Sequence, residues 1–110
     1  IGSFQAVQHM LADMYVRTAL ARSATYAGAA LLDEPEIRGP RAAGAAAKLS
    51  ADDAPRENAR AAVQVHGGIG FTWEMPPQYL LKRAWVLEHA FGTCDAHAFA
   101  LGCSLEDARA

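Results

Sequence analysis

The sequence predicts an all-α fold, an antiparallel bundle of about four helices, and three observations support this prediction. Alanine-rich stretches carry apolar residues every three or four positions, as one face of a helix does. Most prolines and glycines fall between these stretches. No segment shows the alternation of apolar and polar residues that is typical of a strand. With 110 residues and a hydrophobic fraction of 52%, we expect one helical domain, residues 1–110.

The first helix is predicted from Phe4 to about Asp33, with Ser3 as its N-cap and Pro35 as its end. Two apolar stripes follow the helical spacing on neighbouring faces: Phe4, Val7, Leu11 and Met14, then Val16, Leu20, Ala24, Ala27 and Leu31. Two stripes and many alanines are typical of a bundle helix that is contacted from more than one side.

The second helix is predicted from Arg41 to Gln64, after a polar connection from Glu36 to Pro40. Its many alanines give it a high helix propensity. Pro55 removes one backbone N–H and crowds the preceding turn, so we expect a kink or a short break there. Asp52 or Asp53 would cap the restarted helix.

The third helix is predicted to start at Pro76-Pro77 and to run to about Ala90, with Gly92 as its stop. Its apolar residues recur at helical spacing: Leu80, Ala84, Leu87 and Phe91.

A fourth helix is predicted to follow at once and to run to about Gly102. Thr93 is its expected N-cap, and Asp95 lies near its positive end. Residues 104–110 are expected to form a frayed tail.

Charge and composition exclude several classes of function. The net charge of −2, with mixed signs, gives no basic field, so we expect no nucleic-acid partner. No apolar run approaches the roughly 20 residues of a membrane span, and no basic-then-apolar leader predicts a signal peptide. Cys94 and Cys103 do not make a disulfide framework, which favours the reducing cytosol as the compartment.

The most informative stretch is Gln64 to Glu74, Gln-Val-His-Gly-Gly-Ile-Gly-Phe-Thr-Trp-Glu, at the end of the second helix. Its glycines at 67, 68 and 70 free the backbone to take positive φ or to approach another surface closely. One glycine would suffice to end a helix. Three of them, after the side-chain amide of Gln64, indicate a backbone shaped for a ligand or a partner.

This stretch resembles the C-terminal domain of the flavin-dependent acyl-CoA dehydrogenases, which carry a Gln-x-x-Gly-Gly motif, then a Gly-Phe/Tyr-Thr segment and two helices. The start of the chain, Ile1 to His9 followed by Leu11 to Met14, is similar to the beginning of the family's longest C-terminal helix. The resemblance therefore spans nearly the whole chain, and it favours one continuous second helix through Pro55. Because the chain opens on Ile1 in mid-motif, we expect a fragment of a longer enzyme.

The resemblance implies FAD as the cofactor and gives the glycine motif a role. Family members use the motif to contact the ADP half of a flavin held mainly by the neighbouring subunit, which carries over to Gln64, Gly67 and Gly68. Backbone N–H groups of a glycine-rich turn can bind anions without a charged side chain. The plainer interpretation of Gln64 is a polar residue that ends an amphipathic helix.

Four more residues match family positions near the flavin: Phe4, Gln5, Thr93 and Asp95. The first two lie near the flavin of a partner subunit in the family, and their plainer interpretation is a core phenylalanine and a solvated glutamine. The other two match the turn beside the flavin. Thr93 is equally well explained as a simple helix cap, and Asp95 departs from the family's usual Gln or Glu.

Phe91 is the most consequential departure from the family. Many members place the catalytic carboxylate immediately before a Gly-Thr pair, where this chain reads Ala90-Phe91-Gly92-Thr93. Phenylalanine cannot remove a proton, so no catalytic residue is assigned in these 110 residues. Glu88 lies about one helical turn earlier and could point to a similar side. Two explanations stay open: a base on an earlier helix outside this sequence, or a subunit that has lost its site.

The remaining chemistry-bearing residues have structural interpretations. Cys94, His97 and Cys103, with His89 nearby, match no common zinc spacing, so no metal site is predicted. His66 lies inside the glycine motif but is not expected to be catalytic. Trp73 and Trp85 are expected to be core or interface anchors.

By resemblance, the intact enzyme would oxidise an acyl-CoA to its trans-2-enoyl product, with the flavin accepting the electrons and an electron acceptor, such as an electron-transfer flavoprotein, taking them on. This chain would supply flavin ADP-side contacts and much of the interface of a dimer or tetramer. The alternative is a non-catalytic partner subunit of a hetero-oligomer. It is suggested by Phe91, which stands where many family members have the catalytic carboxylate. A third possibility is a free-standing four-helix binding module.

Overall fold

Four α-helices form the protein, in the order α1 (Gln5–Asp33), α2 (Pro40–His66), α3 (Pro77–Glu88) and α4 (Cys94–Asp107). A short 3₁₀ helix, Gly67–Phe71, joins α2 to α3. The computed structural model describes residues 1–34 and 40–107. Helices without strands in this described part confirm the predicted all-α bundle.

The central element is α2, which packs against α1, α3 and α4. Asn58 fixes how α1 lies on it, because its Nδ2 donates to the carbonyl of Met14 and to Thr18 Oγ1, each at 2.9 Å. Further along, a Cβ built on Gly28 would lie 3.2 Å from the Cβ of Ala47. Residue numbers rise along α1 as their partners' numbers fall along α2, so the two helices are antiparallel.

The core is built from small side chains. Its buried apolar residues are Ala45, Ala54, Ala59, Val63 and Ala84. Small residues let helix backbones approach closely, but each contributes little buried area. Many large apolar side chains remain at the surface, among them Tyr15, Leu20, Tyr26, Leu32, Val86 and Phe99. Large exposed apolar patches are typical of surfaces that take part in interactions.

The beginning of α1 differs from the prediction. Ser3 is not the cap; Phe4 occupies the N-cap position, with no side-chain cap bond. The reason is a turn in which the N–H of Phe4 donates to the carbonyl of Ile1 at 3.1 Å, which moves Ser3 one residue outside the helix. Gln8 Nε2 instead reaches back to the carbonyl of Gly2 at 2.9 Å.

No break interrupts α2, so a break near Pro55 is the wrong alternative and the continuous helix favoured by the family resemblance is confirmed, while the kink stays a prediction. Pro55 itself is exposed, but Asp52, Ala54 and Ala59 near it are buried in a helix that contacts three other helices. Asp53 does not cap a restarted helix; its carboxylate pairs with Arg56 at 2.8 Å. The predicted connection at 36–39 and the end at Pro35 lie outside the described residues.

The start of α3 at Pro77 agrees with the prediction, but the helix ends at Glu88, before Ala90. Gly92 is not the stop. The backbone leaves the helix earlier and takes a left-handed φ of 62° at Phe91, followed by 104° at Gly92.

The N-cap of α4 agrees with the prediction, since Thr93 Oγ1 accepts from the N–H of Ala96 at 3.4 Å. The predicted end at Gly102 is wrong: the helix continues to Asp107, and residues 104–107 are not a frayed tail. One glycine in an alanine- and leucine-rich helix is a modest penalty, and Ser104 Oγ bonds back to the carbonyl of Leu101. Residues 108–110 lie outside the described part. None of the described helices combines the length and apolarity needed to cross a bilayer.

Candidate functional site

The glycine turn, residues 64–71, lies at the C-terminal end of α2. Gln64 is exposed, and its amide makes no hydrogen bond within the described part of the chain. His66 faces inward along the helix, with Nδ1 at 2.7 Å from the carbonyl of Ala62. That contact gives His66 a local structural role. The turn therefore presents the amide of Gln64, the open backbone at 67–68 and the apolar side chains of Ile69 and Phe71 to the outside.

The three glycines of this turn meet different requirements. Gly70 is buried, and a Cβ there would lie 2.8 Å from the carbonyl oxygen of Val63, so packing requires its glycine. Gly67 has φ of 62°, which favours glycine for conformational reasons. Gly68 has neither constraint: a Cβ built there would meet no described atom within 4 Å outside its chain neighbours, and its φ is not left-handed. Nothing in the described chain requires glycine at 68.

The beginning of α1 lies at the same end of the bundle as the glycine turn, because α1 and α2 are antiparallel. Phe4 is 65% exposed, so it is not a core residue, and Gln5 is exposed as well. The structure therefore brings two predicted flavin contacts, Phe4 and Gln5, to the end of the bundle that carries the three predicted in the glycine turn.

The other two predicted flavin contacts, Thr93 and Asp95, lie at the start of α4, which packs beside a different part of α2. Cys94, between them, has its Sγ 3.6 Å from the carboxylate of Asp52. Asp52 and Gln64 are separated by roughly 18 Å along α2 at 1.5 Å per residue. Asp95 is exposed in the first turn of α4, where a negative charge is favourable. The seven predicted residues thus form two groups.

The α3–α4 turn, residues 89–93, carries Phe91 at the family's usual base position. Its side chain is 95% exposed, and its carbonyl lies 2.9 Å from His97 Nε2. A bulky residue in the left-handed region is an outlier that neighbouring contacts must hold in place. Glu88 is not a free replacement for the base, because its carboxylate is bonded to Arg56 at 3.1 Å.

A charged cluster between α2 and the α3–α4 turn was not predicted from the sequence. Its members are Lys48, Asp52, Arg56, Glu88 and Cys94. Asp52 is only 7% exposed and pairs with Lys48 one turn earlier. The i, i+4 spacing of this pair was visible in the sequence, but its burial against another helix was not.

Burial and charge shift two pKa values in this cluster. Burial, then the charge and hydrogen bond of Asp52, raise the pKa of the Cys94 thiol. Burial opposes the charge of Arg56, but the hydrogen bond to Glu57 and the carboxylates of Glu88 and Asp53 outweigh it and raise its pKa. Both groups therefore keep their protons to a higher pH than their ordinary pKa values imply.

An aromatic patch lies beyond the glycine turn. Lys82 Nζ stands 4.5 Å from the ring centre of Trp73, whose ring is 6.0 Å from that of Tyr79. Trp73 and Trp85 are both exposed, which excludes a core role for either in the described chain. Within residues 1–34 and 40–107, no three His, Cys, Asp or Glu side chains are grouped as metal ligands would be.

Comparison with known proteins gives a consistent set of relatives. Residues 1–102 match the family described as "Acyl-CoA dehydrogenase, C-terminal domain". The chain is 41% identical over 85 residues to acyl-CoA dehydrogenase IpdE2 of Mycolicibacterium smegmatis, covering 76% of this chain and 25% of that protein. It is 42% identical over 85 residues to acyl-CoA dehydrogenase FadE34 of Mycobacterium tuberculosis, covering 76% of this chain and 12% of that one.

A relative from a plant covers more of this chain. A mitochondrial 2-methylacyl-CoA dehydrogenase of Solanum tuberosum is 36% identical over 105 residues, which cover 96% of this chain and 25% of that protein. The chain spans a quarter or less of the length of these three relatives.

Proposed function

Because the chain belongs to the acyl-CoA dehydrogenase family, as its C-terminal domain, we propose that it serves a flavin-dependent enzyme that oxidises an acyl-CoA to a trans-2-enoyl-CoA. Its share is to contact the ADP side of FAD and to form part of the interface between subunits. The electrons then pass to an external acceptor such as an electron-transfer flavoprotein.

Gly68 is the observation that carries the cofactor proposal. Neither packing nor backbone conformation within the described chain requires a glycine there, so the backbone at 68 is open to a group that approaches from outside. A phosphate or ribose group that contacts the turn's backbone N–H groups needs that absence of a side chain. Gln64, exposed beside it, supplies an amide that can donate or accept.

The residues of this end of the bundle fit a dinucleotide. Gln64 and the 67–68 backbone would hold the ADP half, and the exposed Phe4 and Gln5 would flank it. FAD, when bound, supplies the redox chemistry by accepting two electrons with the hydrogen lost from the β-carbon. This chain contributes binding and orientation.

The proposed reaction needs a carboxylate to remove the α-proton of the acyl-CoA. Neither Phe91 nor Glu88 provides it. Phe91 has no acid–base chemistry, and the carboxylate of Glu88 accepts a hydrogen bond from Arg56. We propose that the base comes from another part of the protein, and that Phe91 forms an apolar wall beside the substrate.

The exposed apolar side chains of α1 and α3 support the second part of the proposal. Tyr15, Leu20 and Tyr26 on α1 and Val86 on α3 are each more than half exposed. Covering such faces is favourable by about 25 cal/mol per Å² of apolar surface. We propose that other domains and other subunits of a dimer or tetramer cover them.

Flavin content of the full-length protein tests the cofactor assignment. Gly68→Val should lose most of its flavin, because the side chain blocks backbone approach. Gln64→Ala should weaken flavin binding only a few-fold, since one hydrogen bond contributes about 0.5–1.5 kcal/mol. Gly102→Val is the matched control, as Gly102 also has open space around its Cβ position but lies on α4. Normal flavin content in purified Gly68→Val would overturn the assignment.

A second candidate function is a non-catalytic partner subunit of a hetero-oligomeric acyl-CoA dehydrogenase, which Phe91 at the base position favours. Turnover of an acyl-CoA panel with an artificial electron acceptor separates the two. An active enzyme works alone and keeps most of its turnover in Phe91→Leu. A partner subunit shows no turnover until a glutamate-bearing subunit is added. Loss of turnover by several orders of magnitude in correctly folded, flavin-loaded Phe91→Leu would contradict our assignment of Phe91.

A further inference from the structure

Lys48 joins α2 to the C-terminal end of α3. Its ammonium pairs with Asp52 and also lies 3.4 Å from the carbonyl oxygens of both Leu87 and Glu88. These are among the last carbonyls of α3, which have no partner within the helix; that of Leu87 also accepts from the N–H of Ala90 in the turn, at 3.0 Å. Helix α3 has no basic residue in its own last turn. Lys48 therefore supplies, from α2, the positive charge that a helix C-terminus favours.

Other residues of α2 hold the two sides of the α3–α4 turn. Arg56 bonds the carboxylate of Glu88 at 3.1 Å, just before the turn. Asp52 accepts from Cys94 Sγ at 3.6 Å, just after it. Asp52 thus orients Lys48 and touches α4 at the same time. The turn is anchored to α2 at both of its ends.

The anchored turn contains the strained residue. Phe91 has φ of 62° and an exposed side chain, and such a conformation persists only where surrounding contacts determine it. Lys48 and Phe91 line the same open groove between α2 and α4, together with Arg41, Ala45 and His97. The groove has a volume of about 460 Å³.

We propose that Lys48 is a positioning residue: its ammonium, oriented by Asp52, holds the α3–α4 turn so that Phe91 and Thr93 keep their places at the substrate and flavin site. This rests on the proposed function. Lys48 does not touch the reacting atoms. It acts through the carbonyls of α3, and its loss frees the turn while leaving Asp52 buried without its cation.

The test uses the full-length, flavin-loaded protein with Lys48→Met, Lys48→Arg and Arg60→Met. Arg60 is the matched control, because it pairs with Glu57 on an exposed face of the same helix. Amide hydrogen exchange is followed by mass spectrometry in peptides covering 88–97 and in peptides of α1. Steady-state kinetics with acyl-CoA give kcat and KM separately.

In Lys48→Met, exchange at residues 90–97 should rise about tenfold or more while α1 keeps its protection, as expected of a local opening. The KM for acyl-CoA should rise more than kcat falls, because the turn shapes the site without reacting. Lys48→Arg should restore most of the wild-type exchange at 90–97 and of the wild-type KM. Arg60→Met should change neither quantity.

Unchanged exchange at 90–97 in Lys48→Met would overturn the proposal, and so would a uniform rise that includes α1. If Lys48→Met does not fold, Asp52→Asn tests the proposal instead, because asparagine has nearly the same shape as aspartate but lacks the charge that orients Lys48. It should raise exchange at 90–97 in the same direction, and wild-type exchange there would overturn the proposal. Wild-type protein that fails to oxidise any acyl-CoA, alone or with a partner subunit, would count against the proposed function, whereas the exchange result is independent of turnover.

Discussion

Two turns of this protein follow helix ends and use the left-handed region differently. After α2 the residue with φ of 62° is Gly67, and after α3 a residue with the same φ is Phe91. Glycine takes that conformation without a steric penalty, whereas an L-residue with a Cβ is disfavoured by roughly 1–2 kcal/mol. The first turn is relaxed in this respect. In the second, the strained residue contacts His97 through its carbonyl, and Lys48 of α2 contacts the end of α3 just before it.

The difference gives the two turns different surfaces for the contacts that we propose. At Gly67 and Gly68 the glycine turn exposes backbone without a side chain, which is the property that a close contact with a ligand would need. The α3–α4 turn instead presents the side chain of Phe91. The left-handed backbone directs this side chain away from the bundle, and it is 95% exposed. Similar chain reversals thus present opposite kinds of surface.

The largest expected effect separates the glycines within the first turn. Gly70→Ala should lower the free energy of unfolding by about 1–3 kcal/mol, because its Cβ would lie 2.8 Å from a backbone carbonyl that cannot move cheaply. Gly68→Ala should change stability by less than about 0.5 kcal/mol. Chemical denaturation of the purified protein measures both. Equal costs at the two positions would show that Gly68 is also a packing glycine.

A smaller pair of effects compares the two residues with φ of 62°, Gly67 and Phe91. Gly67→Ala should destabilise the protein by about 1–2 kcal/mol, since alanine must adopt the strained conformation. Phe91→Gly should stabilise it by up to about 1 kcal/mol, because relief of strain exceeds the added entropy of the unfolded chain. Thermal unfolding of both variants checks the opposite signs. A destabilised Phe91→Gly would mean that the Phe91 side chain packs in the intact protein.

Much of the first turn was predictable from the sequence, because glycines and a flanking amide form a local pattern. The order of the helices was predictable from the spacing of apolar residues, and the start of α3 was predictable from Pro76-Pro77. The break near Pro55 was wrong because packing by three helices outweighed a local penalty, and the fourth helix was longer than Gly102 suggested.

The second turn was harder to predict, because its determinants are far apart in the sequence. Lys48 and Leu87 are 39 positions apart, and so their contact leaves no periodic signal. Phe91 was recognised as a departure from the family. Its left-handed backbone could not be inferred, since Gly92 next to it was the residue expected to end the helix.

The smallest effect concerns the thiol beside the second turn. Burial and Asp52 raise the pKa of Cys94, so the folded protein keeps this proton to higher pH than the unfolded chain does. The resulting stabilisation is complete below the unfolded thiol pKa of about 8.5 and is lost as pH rises through the folded value. The free energy of unfolding should therefore decline as the pH rises above about 8.5.

Denaturation measured from pH 7 to 10 detects this decline. Cys94→Ser should flatten it, and Cys103→Ser, which removes an exposed thiol, is the matched control that should retain it. Iodoacetamide should also modify Cys94 more slowly than Cys103, as followed by peptide mass spectrometry. Faster alkylation of Cys94 would contradict its burial against Asp52.

The amide of Asn58 has a consequence for how the chain folds. Part of the α1–α2 interface is made of small side chains, as where Gly28 meets Ala47, and such contacts specify the alignment of two helices only weakly by shape. The native alignment brings the amide of Asn58 to Met14 and Thr18. A displaced arrangement would take both acceptors from its Nδ2, while its Oδ1 already lacks a partner among the described residues, at a cost of about 1–3 kcal/mol. One polar side chain thereby selects the native alignment of the two longest helices, and with it the meeting of the N-terminus of α1 and the glycine turn.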